Sequence, residues 1–164
     1  MLVITSSILG VTSQDVIAQV SITDGKTMIN QKAIYRFSLF ILSTDVEEPF
    51  FPAGTVFKTY LADSVSLDIQ NPIPICRFYD MSSDTTTNYT NCVYNSTARM
   101  ISFNLTAQQF YSQTYDYEIG YIRNPGVSSF VSGFRFIVED SKGTVLYSVT
   151  DGNMVIIQPG TITG

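Results

Sequence analysis

The chain has no His and no Trp in its 164 residues. Without His it lacks the side chain whose proton comes and goes near neutral pH. Ser-His-Asp and Cys-His nucleophilic arrangements are thereby excluded. No GxSxG, GxGxxG or GxxxxGK[ST] pattern occurs either, which removes the nucleophile elbow, the dinucleotide loop and the phosphate loop. Charge is scarce: 14% of residues are charged, with 9 Lys and Arg against 14 Asp and Glu, a formal net charge of −5. An ordinary soluble domain carries roughly 25%. An acidic chain repels phosphate backbones, so no nucleic-acid partner is expected. Long apolar runs are missing as well. The longest, Phe37 to Leu42, is broken by Ser38 and falls far short of the roughly 20 residues that cross a bilayer, so no membrane insertion is expected. No basic residue precedes Lys26, and Thr5, Ser6 and Ser7 interrupt the apolar start. The N-terminus therefore does not read as a signal peptide; Met1 is expected not to be the biological start, and residues 1–14 are expected to form a strand or an inter-repeat linker.

What is present points to strands. Hydrophobic residues make up 45% and aromatics 13%, enough for one domain with a substantial core. Apolar and polar residues alternate at Val16–Ile22, Tyr35–Ile41, Val65–Ile69, Ile101–Leu105, Tyr115–Tyr121, Phe134–Val138 and Val145–Val149, the period-two signature of a half-buried strand. Turn residues punctuate these runs: Asp24-Gly25, Glu48-Pro49, Asn71-Pro72, Asn124-Pro125-Gly126, Ser141-Lys142-Gly143, Asp151-Gly152 and Pro159-Gly160. No segment shows a strong 3.6-residue apolar repeat; the best helical candidate is the short stretch Thr106–Tyr111, with Thr106 as its cap. The expectation is an all-β, antiparallel sandwich of about 7–9 strands spanning residues 15–152, followed by a strand or linker at 153–164. A barrel is the competing architecture.

The chain has only two cysteines, Cys76 and Cys92. Paired, they close a loop and imply an oxidising compartment; the competing reading is two buried free thiols. A metal site is not expected, since no His and no further Cys complete a tetrahedron. Between them, Met81 to Asn91 is almost devoid of apolar residues and is expected to be an exposed loop. Three sequons fall in or near it: Asn88-Tyr89-Thr90, Asn95-Ser96-Thr97 and Asn104-Leu105-Thr106. Asn88, Asn95 and Asn104 are thus candidate glycosylation sites. Tyr79, Tyr89 and Tyr94 are candidate recognition residues, because Tyr contacts proteins and sugars well; a plain sheet or core role competes with this.

Catalysis is not expected. Paired carboxylates remain the only route, and the pairs are Glu47-Glu48, Asp116/Glu118 and Glu139-Asp140. Asp116 and Glu118 share one face of a strand, opposite Tyr115, Tyr117, Ile119 and Tyr121, and are expected on a solvated sheet face. Asp24, Asp140 and Asp151 sit in or beside turns but form no DxDxDG loop, so neither calcium nor any cofactor is expected. The ends of the chain match: Met1-Leu2-Val3-Ile4 and Met154-Val155-Ile156-Ile157 suggest a repeating unit that pairs through terminal strands.

The order Tyr35-Arg36-Phe37-Ser38, Phe51-Pro52, Cys76, Cys92, Ile119-Gly120-Tyr121-Ile122-Arg123-Asn124-Pro125 and Phe134-Arg135-Phe136-Ile137-Val138-Glu139-Asp140 resembles the immunoglobulin-like repeats of very large cell-surface proteins of ciliated protozoa, over roughly residues 15–152. That resemblance implies structure and adhesion in extracellular arrays and carries no catalytic residues. The expected function is a non-catalytic, glycosylated extracellular or cell-surface module assembling with copies of itself or neighbouring repeats into a fibre, coat or stalk. The alternative is an adhesin or lectin-like domain that binds glycans or other surface proteins through the Cys76–Cys92 loop.

Overall fold

A computed structural model describes residues 16–41, 50–67, 74–80, 83–89, 92–110 and 114–160. In chain order the strands are β1 Val16–Ile22, β2 Lys32–Ile41, β3 Phe50–Phe51, β4 Val56–Tyr60 and β5 Ser66–Leu67. They continue as β6 Ile75–Asp80, β7 Thr85–Tyr89, β8 Val93–Asn95, β9 Met100–Asn104 and β10 Gln109–Phe110. The last five are β11 Thr114–Arg123, β12 Ser129–Val131, β13 Arg135–Glu139, β14 Val145–Thr150 and β15 Val155–Ile157. One sheet runs β1-β2-β11-β6-β7 with β5 alongside β11, and the other runs β14-β13-β4-β9-β8. Two ribbons, β3 with β10 and β12 with β15, complete the molecule. All the ladders are antiparallel. The fold is an antiparallel immunoglobulin-like sandwich. It has more strands than the expected 7–9, because short edge pieces and ribbons lack the length that makes alternation visible.

Alternation sets the inner faces. In β2, Ala33, Tyr35, Phe37, Leu39 and Ile41 are buried, and in β13 Phe136 and Val138 are buried beside Phe134. Phe57 stacks on Phe103 at 5.2 Å between ring centroids and on Tyr115 at 4.8 Å, so one aromatic column spans both sheets. Phe51 meets Phe57 edge-on at 5.1 Å and closes that column. Stacked and edge-on pairs of this kind contribute about 0.5–1.5 kcal/mol each beyond area burial.

Three sequence expectations are corrected. Tyr121 does not face inward: the register of β11 against β2 shifts between Ile119 and Ile122, so Ile122 takes the buried position. The stretch expected to start a helix at Thr106 instead contains β10, because Phe110 pairs opposite Phe50; Tyr111 lies outside the described residues. The stretch after Cys76 is not a loop. Thr85–Tyr89 forms β7, whose side chains before Tyr89 are exposed, so an edge strand of β-branched threonines needs no apolar face. Asp84, at φ 52°, makes the reversal into β7, a conformation Asp tolerates better than bulkier residues.

Asn124 acquires a clear role. Its Oδ1 accepts a hydrogen bond from the buried Tyr35 hydroxyl at 2.7 Å. Its Nδ2 donates to the carbonyls of Lys26 and Met28, both at 2.8 Å. The Asn-Pro step that ends β11 thus pins the connection between β1 and β2. That connection holds the C-terminal segment in turn, since Ile29 N donates to the Gln158 carbonyl at 3.1 Å and Gln158 N donates to the Thr27 carbonyl at 2.8 Å.

Candidate functional site

Two lateral sides of the sandwich and one sheet face carry the features of interest. The first side is formed by β7 and β8, the last strands of the two sheets. A disulfide joins Cys76 of β6 to Cys92, just before β8, with Cα atoms 5.8 Å apart. Cys76 is buried and pairs in register with Tyr89 across the β6–β7 ladder. The Tyr89 ring stacks on Phe103 of the opposite sheet at 4.2 Å, and its hydroxyl is hydrogen-bonded to that of Tyr115. Burial pushes the Tyr89 hydroxyl up to about 12, and it raises Tyr115 and Tyr117 as well. The Tyr117 hydroxyl pairs with Thr59 Oγ1 at 2.7 Å. These buried hydroxyls are therefore satisfied and neutral, as a low-dielectric interior requires.

The sequon asparagines also lie on or next to this side. Asn88 is exposed on β7, Asn95 on β8 and Asn104 at the end of the adjacent β9. Asn95 Oδ1 accepts from Ala98 N at 3.0 Å in the turn between β8 and β9. The candidate recognition tyrosines are not gathered into one surface. Tyr89 is turned toward the core. Tyr94 is half-buried against it, opposite Ile101. Tyr79 lies on the outer sheet face, where its hydroxyl donates to Asp84 Oδ1 at 2.5 Å and its ring carries the Arg36 guanidinium at 3.5 Å.

That outer face overturns the expectation for the carboxylate pair. Asp116 and Glu118 are buried, each 4% exposed. The reason is register: Glu118 stands opposite Arg36 of β2 on one side and Arg77 of β6 on the other. Arg36 Nη2 reaches Glu118 Oε1 at 2.8 Å and Arg77 Nη2 reaches Oε2 at 3.1 Å. The arginine stems lie across the strand and keep water away, as long cationic side chains do. Asp116 accepts a hydrogen bond from Ser38 Oγ. Its carboxyl is raised above the ordinary range by burial, with Ser38 and Arg36 pulling the other way. Two guanidiniums from neighbouring strands hold the Glu118 carboxylate, so this ladder braces the central strands. Its separate elements were visible in the sequence as Arg36, Arg77 and Glu118, but nothing local announced that they meet.

Four further carboxylates singled out from the sequence serve turns or cross-strand pairs. Asp140 accepts from Lys142 N and Thr144 N, both at 2.8 Å, which lowers its carboxyl, and Gly143 at φ 85° completes that hairpin. Asp151 accepts from Gly133 N at 2.7 Å, Asp24 pairs with Lys26 at 3.5 Å, and Glu139 pairs with Lys58 at 2.6 Å. Glu47 and Glu48 lie outside the described residues. Among the described residues no three His, Cys, Asp or Glu side chains come together as a metal site, and no helix is long and apolar enough to cross a membrane.

The opposite side is formed by β1 and β14, which pack on each other, and by the β12–β15 ribbon. It carries exposed large apolar residues: Ile17, Val127, Val145, Met154, Phe130 at 61% and Ile156 at 62% exposure. Phe130 and Ile156 stand directly opposite each other across the ribbon. Among the described residues, Val93 and Ile75 are the large exposed apolar residues elsewhere. No sequon falls on this side.

No family model matches the chain, and no curated protein matches its sequence. Solved structures share its fold. The chain is similar to the full-length major pilin SpaD from Corynebacterium diphtheriae, with a TM-score of 0.50 and 10% identity over 86% of this chain and 34% of that one. Fainter likenesses are to BcpA, the major pilin subunit of Bacillus cereus (TM-score 0.45, 9% identity, 89% of this chain and 40% of that one), and to the collagen-binding domain of a Staphylococcus aureus adhesin (0.41, 10%, 91% and 100%). The chain thus spans about a third of the SpaD chain. At such identities the likeness concerns the sandwich alone. SpaD is a bacterial pilin rather than a ciliate repeat, so the resemblance drawn from sequence holds only for the immunoglobulin-like fold.

Proposed function

We propose that the chain is a non-catalytic structural module of an extracellular or cell-surface assembly, glycosylated along one side and self-associating into a fibre, coat or stalk. The observation that supports this best is the opposition of the two sides. Exposed Asn88 and Asn95 and the disulfide occupy the β7/β8 side, with exposed Asn104 on the adjacent β9, while most exposed apolar side chains among the described residues lie on the β1/β14/β12–β15 side. Sugar on β7 and β8 would shield two open sheet edges from pairing with other chains. A disulfide suits an oxidising compartment. The buried carboxylates, Glu118 held by two arginines and Asp116 bonded to Ser38, give catalysis no support. The pilin and adhesin folds among the solved neighbours are in keeping with this reading. The alternative, a glycan- or protein-binding domain using the Cys76–Cys92 region, is disfavoured because Tyr79, Tyr89 and Tyr94 are engaged within the molecule.

The test is native material. Intact mass before and after enzymatic deglycosylation is expected to fall by whole glycans, with sites mapping to Asn88, Asn95 or Asn104. Electron microscopy is expected to show ordered polymers. Sugarless, dispersed monomers with reduced thiols would refute the proposal.

A further inference from the structure

We infer that the module bears tension along its own chain, through a clamp in which β1 and residues 151–158 lie parallel and are hydrogen-bonded side by side. The use of such a clamp rests on reading the chain as part of a fibre or stalk; the clamp itself rests on the bonds between the two segments.

The sheets and ribbons are antiparallel, but the contacts between the first strand and the last described segment are not. Ala18 bridges Asp151 and Met28 bridges Gln158, both in parallel. Gly152 N donates to the Ala18 carbonyl at 2.8 Å. At Val20 a side chain stands in for a strand. Asn153 Oδ1 accepts from Val20 N and Asn153 Nδ2 donates to the Val20 carbonyl, both at 2.7 Å. One amide thereby gives the edge of β1 the pair of bonds that a neighbouring strand would give. Further along, Gln158 N donates to the Thr27 carbonyl at 2.8 Å and Ile29 N donates to the Gln158 carbonyl at 3.1 Å.

Direction decides how these bonds carry load. Tension reaching Ile17 pulls β1 toward its N-terminal end. Tension reaching Gly160 pulls the partner segment toward its C-terminal end. For parallel neighbours the two pulls oppose each other along one line, so the bonds are sheared together rather than peeled in turn. A single hydrogen bond contributes only about 1 kcal/mol net. Several that must break at once raise the barrier to forced unfolding, which is governed by the unfolding rate. Both halves of the clamp are anchored. The β1–β2 ladder runs from Val16 opposite Ile41 to Ile22 opposite Tyr35, and the Asn124 amide holds the carbonyls of Lys26 and Met28. On the other half, Asp151 N donates to the Phe134 carbonyl at 3.0 Å and Asp151 Oδ1 accepts from Gly133 N at 2.7 Å. Load entering β1 thus passes into one sheet, and load entering residues 151–158 passes to the start of β13 in the other.

The experiment stretches single molecules of the full chain through bioorthogonal side chains placed at exposed positions. Handles at Ile17 and Gly160 shear the clamp. Handles at Ile17 and Thr150 load the same bonds from one end and peel them. The unfolding force is expected to be higher in the first geometry than in the second, a comparison that needs no clamp variant to fold. Asn153→Ala is expected to lower the shearing force and to change the peeling force little. Cys76→Ala/Cys92→Ala weakens the far side of the sandwich and is expected to leave the shearing force unchanged. A shearing force no higher than the peeling force would overturn the clamp. So would an equal fall in both geometries for Asn153→Ala, or a fall in shear as large when the cysteines are replaced. Dispersed native monomers would overturn assembly and leave the measured force as it is, whereas a weak clamp in a chain that polymerises would overturn the tension-bearing role alone.

Discussion

The β7/β8 side and the β12/β15 side solve the same problem in opposite ways. Both present strand edges, and an unmanaged edge invites pairing with any other chain. On β7/β8 the edge strands are short, rich in Thr and Asn, tied together by Cys76–Cys92 and supplied with sequons. On β12/β15, Phe130 and Ile156 face outward, Val131, Val155 and Ile157 face inward, and no acceptor asparagine is present. The first side turns polar residues outward at its edge, and the second turns Phe130 and Ile156 outward. On the proposed function, the first flank is the guarded one and the second is the one open to association.

The comparison can be broken most forcefully beneath both sides. Phe136 is 1% exposed and packs its ring 5.4 Å from that of Phe37. Phe136→Ala is expected to cost about 3–5 kcal/mol in chemical denaturation, loosening both flanks together. Next comes a cut on the guarded side alone. Replacing both Cys76 and Cys92 by Ala is expected to cost about 3 kcal/mol, because the bond closes a loop of sequence separation 16. Hydrogen exchange should then rise in β7 and β8 and stay unchanged in β12 and β15. The mirror experiment is Asn124→Ala, which leaves the Tyr35 hydroxyl and the carbonyls of Lys26 and Met28 without their partner. A loss of about 1–3 kcal/mol is expected, with faster exchange in β12 and β15 and none added in β7. Equal loosening of both flanks by either variant would show that they are not independent.

The smallest effect concerns Asp116, which lies between the flanks. Burial raises its carboxyl above the ordinary value, so the folded state holds the proton more tightly than the unfolded chain does. The stability it contributes is greatest below the unfolded value near 4 and declines as pH rises through the folded value. Asp116→Asn mimics the protonated form. The denaturation midpoint of Asp116→Asn relative to the unaltered chain is therefore expected to be higher at pH 7 than at pH 3. A difference of the opposite sign would mean that Ser38 and Arg36 outweigh burial.

Much of the sandwich was legible beforehand, for a plain reason: a strand with one wet face must alternate. The runs in β1, β2, β9, β11, β13 and β14 all did so, and Phe134, Phe136 and Val138 lie buried as their spacing indicated. Val56–Tyr60 escaped notice because its second inward position is Thr59, a polar residue made acceptable by the Tyr117 hydroxyl. β7 escaped because an exposed edge strand has no apolar face to show. Read along one strand, Asp116 and Glu118 resemble any solvated polar face, and only the arginines of the neighbouring strands distinguish them.

By itself, then, the order of residues determined the all-β class, the inward faces of the long strands up to the register shift in β11 and the absence of His-based chemistry, since each follows from side chains within a few positions of one another or from composition. Tertiary structure alone decided which carboxylates are buried, which tyrosines are occupied and which edge stands open. Those properties arise between strands: Glu118 meets an arginine 82 positions away, and Tyr35 meets an amide 89 positions away. Hydrogen-bond register between distant segments, rather than local pattern, brings such groups within reach.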